Sequence, residues 1–169
     1  EGGYHDVFVV NPKAQGALSI PGFDSVGRIE HPVDVALIVS PSAAVPAILE
    51  DCGKAGVKAA IIITAGFSEA GNRAGEQEIK RIADQYGIRF VGPNCAGILN
   101  THHNLFPTLE TPPPRGSVAL IAQSGAVAGV ALAWGKEHGL GFSKFVSYGN
   151  GADLKPLDFV RYLADDPET

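Results

Sequence analysis

Cysteine is scarce in this chain. Among its 169 residues there are two, Cys52 and Cys95, and they form no CxxC pair. Small secreted domains that rely on disulfides carry more cysteines at closer spacing. The sequence therefore argues against a disulfide framework and favours a reduced, cytoplasmic protein. Nothing in the sequence around Cys95 would lower the pKa of its thiol, so we do not expect it to act as a nucleophile.

Long apolar runs and a positive net charge are also missing. No apolar stretch approaches the ~20 residues that a membrane-spanning helix needs, and no signal peptide is visible. The 13 basic residues are outnumbered by 18 acidic ones, which gives a net charge of −5. We therefore expect neither a membrane nor a nucleic acid as a partner, although a local basic side chain could still bind a phosphate.

The common signatures of catalytic and nucleotide sites are absent. The chain has no GxGxxG, GxxxxGK[ST], HExxH or GxSxG motif, which disfavours a generic dinucleotide-binding domain. Asp165 and Asp166, which close the last predicted helix, are expected to be solvated. The histidines show no metal-ligand spacing, so we expect no metal site and place them on the surface or in loops. They are His5, His31, His102, His103 and His138.

Strands and helices alternate along the chain. Hydrophobic residues make up 45% of it and charged residues 18%, enough for a buried core. Strands are predicted at about 6–10, 34–39, 58–64, 88–91, 117–122 and 143–147, and helices at about 43–55, 74–86, 124–137 and 157–164. Ser42 is expected to cap the first helix. The strand at 58–64 is apolar on both faces, which is typical of a parallel sheet covered by helices, so the sequence predicts an α/β fold.

A proline-rich stretch interrupts this alternation. The run from Pro112 to Pro114 is stiff and cannot continue a helix. We therefore predict a first domain at 1–111, a linker at 112–116 and the start of a second domain at 117–169. The chain begins without methionine, enters a strand almost at once and stops after a helix. It is expected to be a piece of a longer protein.

Small polar loops follow four of the predicted strands. They are Ser40-Pro41-Ser42, Thr64-Ala65-Gly66, Gly92-Pro93-Asn94 and Gln123-Ser124-Gly125. Each could be an ordinary turn, but in a doubly wound fold the carboxyl ends of the strands form one rim where ligands bind. Their recurrence predicts a site built from several loops and suited to a phosphate-bearing ligand.

Two residues of this predicted rim can be interpreted in two ways. Ser124 begins a helix, whose first N–H groups and partial positive charge suit a phosphate, but its hydroxyl could simply cap that helix. Lys13 ends the first strand and offers a mobile charge for a phosphate, although most such lysines are only solvated. The residues alone leave both pairs of alternatives open.

Several segments point to one family when they are taken in order. They are residues 10–13 (VNPK), 33–71, 87–100, 118–128 and 141–169, and they include GFSE, GPNC, QSG and the ending DDPET. In that order the chain resembles the NDP-forming acyl-CoA synthetases, which include ADP-forming acetyl-CoA synthetase and the α subunit of succinyl-CoA synthetase. The resemblance covers nearly the whole chain. It implies an N-terminal Rossmann-like CoA-binding domain followed by the first part of a flavodoxin-like ligase domain.

The resemblance also implies the roles of individual residues. Coenzyme A would be contacted by Lys13, Ser40, Pro41, Ser42, Thr64, Ala65 and Gly66. The acyl and phosphate groups would lie near Gly92, Pro93, Asn94, Gln123, Ser124 and Gly125. The implied reaction interconverts acyl-CoA, phosphate and NDP with a carboxylic acid, CoA and NTP. An ATP-grasp domain elsewhere would bind Mg-ATP or ADP, and the full-length protein would be an oligomer.

Two parts of the family pattern are missing from the sequence. The family's first strand and its glycine-rich CoA loop normally precede the VNPK segment. The histidine that carries the phosphoryl group normally follows the DDPET segment, and no histidine here matches it. We therefore expect the chain alone to be inactive. The alternative is a catalytically silent, acyl-CoA-sensing domain, of the kind that accompanies the acetyltransferase domain in bacterial protein lysine acetyltransferases.

Overall fold

The computed structural model describes residues 6–169, so His5 lies outside the described residues. In that part of the chain the strands are β1 (Val9–Val10), β2 (Gly22–Phe23), β3 (Val35–Ile38), β4 (Ala59–Ile62), β5 (Arg89–Val91), β6 (Gly97–Asn100), β7 (Arg115–Ala122) and β8 (Phe142–Ser147). The α-helices are α1 (Val45–Lys54), α2 (Arg73–Tyr86), α3 (Gly125–Glu137) and α4 (Pro156–Ala164). The predicted α/β class is confirmed.

A parallel sheet forms the centre of the N-terminal half. Its order is β3-β4-β5, with Ala36 opposite Ala60 and Ala60 opposite Phe90. Helices α1 and α2 bury their apolar stripes against one face, where Leu49 and Ile79 are fully buried. Because all three strands run in the same direction, the loops that follow them emerge at one edge of the sheet.

Local sequence explains where the two helices of this half begin and end. In α2 the Asn72 side chain caps the helix by accepting from the N–H of Gly75, and Gly87 ends it in the left-handed region at φ +70°. The prediction that Ser42 caps α1 was wrong. Ser42 instead opens a turn of 3-10 helix that leads into α1, whose second residue, Pro46, needs no N–H partner.

A second sheet has the order β6-β8-β7. Strand β7 runs parallel to β8, whereas β6 runs antiparallel to it. Helix α3 packs on this sheet through Ala128 and Leu132, which meet Phe142 and Phe145 in a separate core. Strand β6 had not been predicted, and it precedes the predicted linker. The predicted boundary at 112–116 stays a prediction, and β7 already includes Arg115 and Gly116.

The N-terminal strand is shorter than expected. Strand β1 covers Val9–Val10 and not the predicted 6–10, and it pairs in parallel with β2, which had not been predicted. Among the described residues this pair forms a sheet of its own, apart from β3-β4-β5. None of the helices in residues 6–169 has both the length and the apolar character of a membrane span.

A polar cluster closes the C-terminal end of the described chain. The ammonium of Lys144, on β8, lies 2.5 Å from Asp166 Oδ2 and 3.0 Å from Glu168 Oε2. The side chains of Lys144 and Asp166 are only 7% and 8% exposed. The prediction that Asp166 is solvated was therefore wrong, because β8 brings a distant lysine against it, whereas Asp165 is exposed.

Candidate functional site

The loops that follow β3 and β4 are joined side by side. The hydroxyl of Thr64 donates to the carbonyl oxygen of Ser40 at 2.7 Å. Gly66 adopts φ +101°, and a Cβ atom placed on it would lie 3.0 Å from Ser42 Oγ. Any side chain at this position would therefore be strained and would press on Ser42. Both loops thus lie at the carboxyl edge of the first sheet, where Pro41 and Ala65 are exposed.

The turn after β5 meets the same edge. The N–H of Asn94 donates to the carbonyl oxygen of Thr64 at 2.9 Å. Gly92 and Pro93 are buried and joined by a cis peptide bond, whereas Asn94 is exposed and left-handed at φ +57°. A Cβ atom on Gly92 would collide with the carbonyl oxygen of Ile62. The turn therefore lies directly against the end of β4.

The loop after β7 lies against the residues that follow this turn. A Cβ atom on Gly125 would be only 2.5 Å from the Cβ of Ala96. The hydroxyl of Ser147 accepts from the N–H of Ala96 at 3.0 Å and donates to the carbonyl oxygen of Gln123 at 3.4 Å. Ser124 accepts from the N–H of Val127 at 3.4 Å, so its role as the cap of α3 is confirmed. Its role in phosphate binding stays a prediction.

In the described part of the chain, Lys13 lies apart from the loops that hold the other predicted site residues. It is exposed in the turn after β1, where its N–H donates to Asn11 Oδ1 at 3.1 Å. Asn11 also accepts from the N–H of Gln15 and so fixes this turn. Within residues 6–169, no hydrogen bond or ion pair joins Lys13 to the loops after β3, β4 or β5.

One polar residue at this edge, Asn150, was not predicted as a site residue. Asn150, in the loop after β8, donates through its side-chain amide to Glu69 Oε2 at 2.5 Å and to Glu76 Oε2 at 2.7 Å. The run Gly149-Asn150-Gly151 follows a strand, as the other four loops do. That position was the signal that could have identified it. Its partners, about 80 residues away, could not be read from the sequence.

Cys95 lies behind the turn but is unsuited to covalent catalysis. Its Sγ is buried and 3.3 Å from the carbonyl oxygen of Ile62. Burial raises the pKa of the Cys95 thiol to about 11. Burial likewise raises the pKa of the Cys52 thiol to about 11, with a further contribution from the charge of Asp51. Both cysteines are free and buried, so the surroundings of Cys95 do not favour a thiolate, and the prediction that it is not a nucleophile stays a prediction.

His102 is engaged on both ring nitrogens. Its Nε2 lies 2.9 Å from the carbonyl oxygen of Gly116, and its Nδ1 accepts from Arg115 Nε at 3.0 Å. Its side chain is 15% exposed, so this loop histidine is held inside the structure, whereas the neighbouring His103 is 67% exposed. In the described part of the chain, no three His, Cys, Asp or Glu side chains are grouped as metal ligands.

Comparison with known proteins matches each half of the chain to a domain family. The profile of the CoA binding domain matches residues 1–101, and that of the succinyl-CoA ligase like flavodoxin domain matches residues 115–169. The chain is 48% identical over 164 residues to an ADP-forming acetate–CoA ligase of Methanocaldococcus jannaschii. It is 46% identical over 165 residues to the α subunit of ADP-forming acetate–CoA ligase II of Pyrococcus furiosus. Each alignment covers 96% of this chain.

Solved structures agree with the sequence comparison. The apo form of the dinucleotide-forming acetyl-coenzyme A synthetase 1 of Ca. Korarchaeum cryptofilum matches 96% of this chain with a TM-score of 0.92 and 39% identity. The same synthetase in complex with phosphate and ADP matches with the same TM-score, 0.92.

The chain is much shorter than these relatives. It spans 23% of the Methanocaldococcus protein, 36% of the Pyrococcus subunit and 36% of the Korarchaeum synthetase chain. The matched part contains a Rossmann-like and a flavodoxin-like segment in the order that the sequence predicted. The chain belongs to the CoA-binding domain family, and the segment that follows matches the succinyl-CoA ligase like flavodoxin domain.

Proposed function

We propose that this chain is the CoA-binding part of an ADP-forming acyl-CoA synthetase. The observation that carries the proposal is the contact between the loops after β3, β4 and β5, with the loop after β7 beside them. These loops present backbone N–H groups, hydroxyls and a helix N-terminus at one edge, which suits a ligand with several phosphates. Proteins named as ADP-forming acetate–CoA ligases align with 96% of the chain.

In this proposal the CoA molecule lies along the first sheet. The loops at 40–42 and 64–66 would contact it through hydroxyls and backbone groups, and Gly66 would allow its close approach. Lys13 would add a positive charge for one of its phosphates. Because Lys13 is exposed and makes no side-chain hydrogen bond to another described residue, its ammonium is available for such a contact.

The acyl and phosphoryl groups would lie where the two halves meet. Asn94 offers an exposed amide beside Thr64, and the first N–H groups of α3 point out of the helix next to Gln123. A helix N-terminus stabilises an anion by about 0.3–1 kcal/mol at an exposed site. Anion binding to this chain alone would therefore be weak. It would strengthen when the rest of the protein excludes water from the site.

The complete reaction needs parts outside these 169 residues. Phosphate attacks the acyl-CoA thioester, so that an acyl phosphate forms and CoA leaves. A histidine then accepts the phosphoryl group and releases the carboxylic acid, and NDP takes the group to become NTP. An ATP-grasp domain would bind the nucleotide with Mg²⁺, and the complete protein would work as an oligomer in the cytoplasm, where its substrates are found.

The sensing alternative has no support from the named relatives. Three aligned proteins that are 43–48% identical to the chain carry ligase names. They are acetate–CoA ligases of Methanocaldococcus, Archaeoglobus and Pyrococcus. A sensor would bind acyl-CoA without converting it. Turnover therefore distinguishes the two functions directly.

The test is a coupled assay on the complete protein. Acetyl-CoA, ADP and phosphate are supplied with Mg²⁺, and both the CoA thiol and ATP are measured. We expect the two products in equal amounts, and neither when ADP or phosphate is left out. Binding of acetyl-CoA without any ATP would favour the sensor. Release of CoA without ATP would indicate a simple thioesterase and would contradict the proposal.

A further inference from the structure

The loop after β8 holds the turn after β5. The N–H of Asn150 donates to the carbonyl oxygen of Pro93 at 2.9 Å, and that of Ala152 donates to Gly92 at 3.1 Å. A Cβ atom on Gly149 would collide with the carbonyl oxygens of Pro93 and Asn94. Glycine at 149 therefore lets the loop of the second sheet approach the turn of the first sheet closely.

Both the nitrogen and the oxygen of the Asn150 side-chain amide are hydrogen bonded at this contact. Its amide nitrogen donates to Glu69 Oε2 at 2.5 Å and to Glu76 Oε2 at 2.7 Å. Its amide oxygen accepts from Asn94 Nδ2 at 3.3 Å. Two carboxylates on one side require the NH₂ group there, which settles the orientation of the amide. Aspartate has the same shape, but it would place a third carboxylate against these two.

Glu69 connects Asn150 to the loop after β4 by hydrogen bonds. Its other oxygen, Oε1, accepts from the N–H of Gly66 at 2.5 Å and from that of Phe67 at 3.2 Å. Partial burial disfavours the charge of Glu69. Hydrogen bonds from Asn150 and from these two N–H groups outweigh that effect and keep the pKa of Glu69 below its usual range. Glu69 is therefore an ionised link between Asn150 and the backbone of Gly66.

We propose that Asn150 is a positioning residue, which uses Glu69 to hold the loop at 64–66 and Asn94 to hold the turn at 92–94. It rests on the proposed function, because these are the segments assigned to CoA and to the acyl group. Through its hydrogen bonds, Asn150 sets the distance between the two groups of ligand contacts. Asn150 itself touches neither CoA nor the acyl group.

The test compares Asn150→Asp with the unchanged complete protein in the synthetase assay, with the KM for CoA measured in the direction of acyl-CoA formation and the KM for ADP in the direction of ATP formation. We expect the KM for CoA to rise about tenfold or more, equivalent to about 1.4 kcal/mol, because the loop at 64–66 loses its fixed position. The KM for ADP should stay within about twofold, since the nucleotide is bound elsewhere. Asn104→Asp, the same change at an exposed asparagine after β6, is the matched control and should alter neither constant.

A charge swap separates positioning from general damage. In the double variant Asn150→Asp with Glu69→Gln, the new amide can donate to the new carboxylate while its oxygen still accepts from Gly66 and Phe67. We expect this pair to recover part of the CoA affinity that Asn150→Asp loses, because the contact at position 69 is restored while the new carboxylate still faces Glu76. If Asn150→Asp does not fold, Asn150→Ser removes the hydrogen bonds without adding charge. It should raise the KM for CoA at least about tenfold, the lower end for one hydrogen bond to a charged group.

The outcomes distinguish this proposal from the proposed function. An active wild-type protein whose KM for CoA is the same in all Asn150 variants would overturn the positioning role alone. Equal increases in the KM values for CoA and ADP, with no recovery in the double variant, would also overturn it. Such a result would indicate a purely structural residue. A wild-type protein without synthetase activity would overturn both proposals.

Discussion

At the scale of single residues, Lys13 is a side chain whose replacement should affect CoA binding and not folding. It is exposed, and within residues 6–169 only its backbone N–H is hydrogen bonded. In the complete protein, Lys13→Ala should raise the KM for CoA by an amount worth about 1–3 kcal/mol, the range for a hydrogen bond to a charged group. The KM for ADP should hardly change. Steady-state kinetics measures both constants, the KM for CoA in the direction of acyl-CoA formation and the KM for ADP in the direction of ATP formation.

Lys58 provides the matched control for this prediction. It is an exposed lysine just before β4, at the amino edge of the β3-β4-β5 sheet. The proposed site lies at the opposite edge of this sheet. Lys58→Ala should leave both constants unchanged. Equal losses of affinity for CoA and ADP in Lys13→Ala would show that Lys13 acts on stability and not through contact with CoA.

Asp166 gives a residue-scale prediction for pH. Its hydrogen bond from Lys144, with a second from Thr169, lowers the pKa of the Asp166 carboxyl. A carboxyl group with a lowered folded pKa stabilises the fold fully above its unfolded value of about 3.9, and that stability is lost as the pH falls through the folded value. The stability difference between wild type and Asp166→Asn should therefore be large at pH 7 and shrink below about pH 4.

Thermal unfolding of this chain across the pH range measures that difference. Asp165→Asn is the control, because Asp165 is the exposed neighbour of Asp166 and should show a small effect at every pH. A difference for Asp166→Asn that stays the same at pH 7 and pH 3 would contradict the role of the Lys144 pair.

At the scale of elements, α3 is held at its first residue by a close contact. Gly125 faces Ala96, and a Cβ atom on it would lie 2.5 Å from the Cβ of Ala96. Overpacking of this kind typically costs about 1–3 kcal/mol, and Gly125→Ala should lower the free energy of unfolding by that order. Replacing Ala96 by glycine in the same chain should recover most of the loss, as urea unfolding can show.

The double variant decides between two reasons for glycine at this position. If it is no more stable than Gly125→Ala, contact with Ala96 is not the reason. Gly125 would then matter through the N–H groups at the start of α3. The sequence alone suggested that second reason, because a glycine leaves these groups uncovered for an anion.

Element types were largely predictable, whereas two strands were not. The periodicity of α2, with Ile79, Ile82 and Ala83 buried on one face, is a local property and predicted the helix correctly. Strands β2 and β6 have two and four residues. Neither is a continuous apolar run of the kind that predicted the other strands, and each exists because a strand elsewhere in the chain pairs with it. For β6 that partner is β8, about 45 residues further along the chain.

At the scale of the whole molecule, the chain alone should not become phosphorylated. No histidine matches the family's phosphorylation motif, and both ring nitrogens of His102 are already engaged by Gly116 and Arg115. We expect no phosphohistidine when the chain is incubated with ATP and Mg²⁺, or with acetyl-CoA and phosphate. Mass spectrometry of intact chains measures it, with the complete protein as the positive control. Phosphate on His102 or His103 would contradict the assignment of this step to another part of the protein.

The sequence by itself determined the order of the four helices and of six of the eight described strands, the α/β class and four of the loops at the candidate site. These follow from local patterns: apolar periodicity, capping residues, and small polar residues where strands end. Only the tertiary structure decided which loops touch, that β6 joins the second sheet, that Lys144 pairs with Asp166 and that Asn150 binds Glu69. The reason is physical: such contacts depend on how two distant segments pack, and neither segment carries the position of its partner in its own sequence.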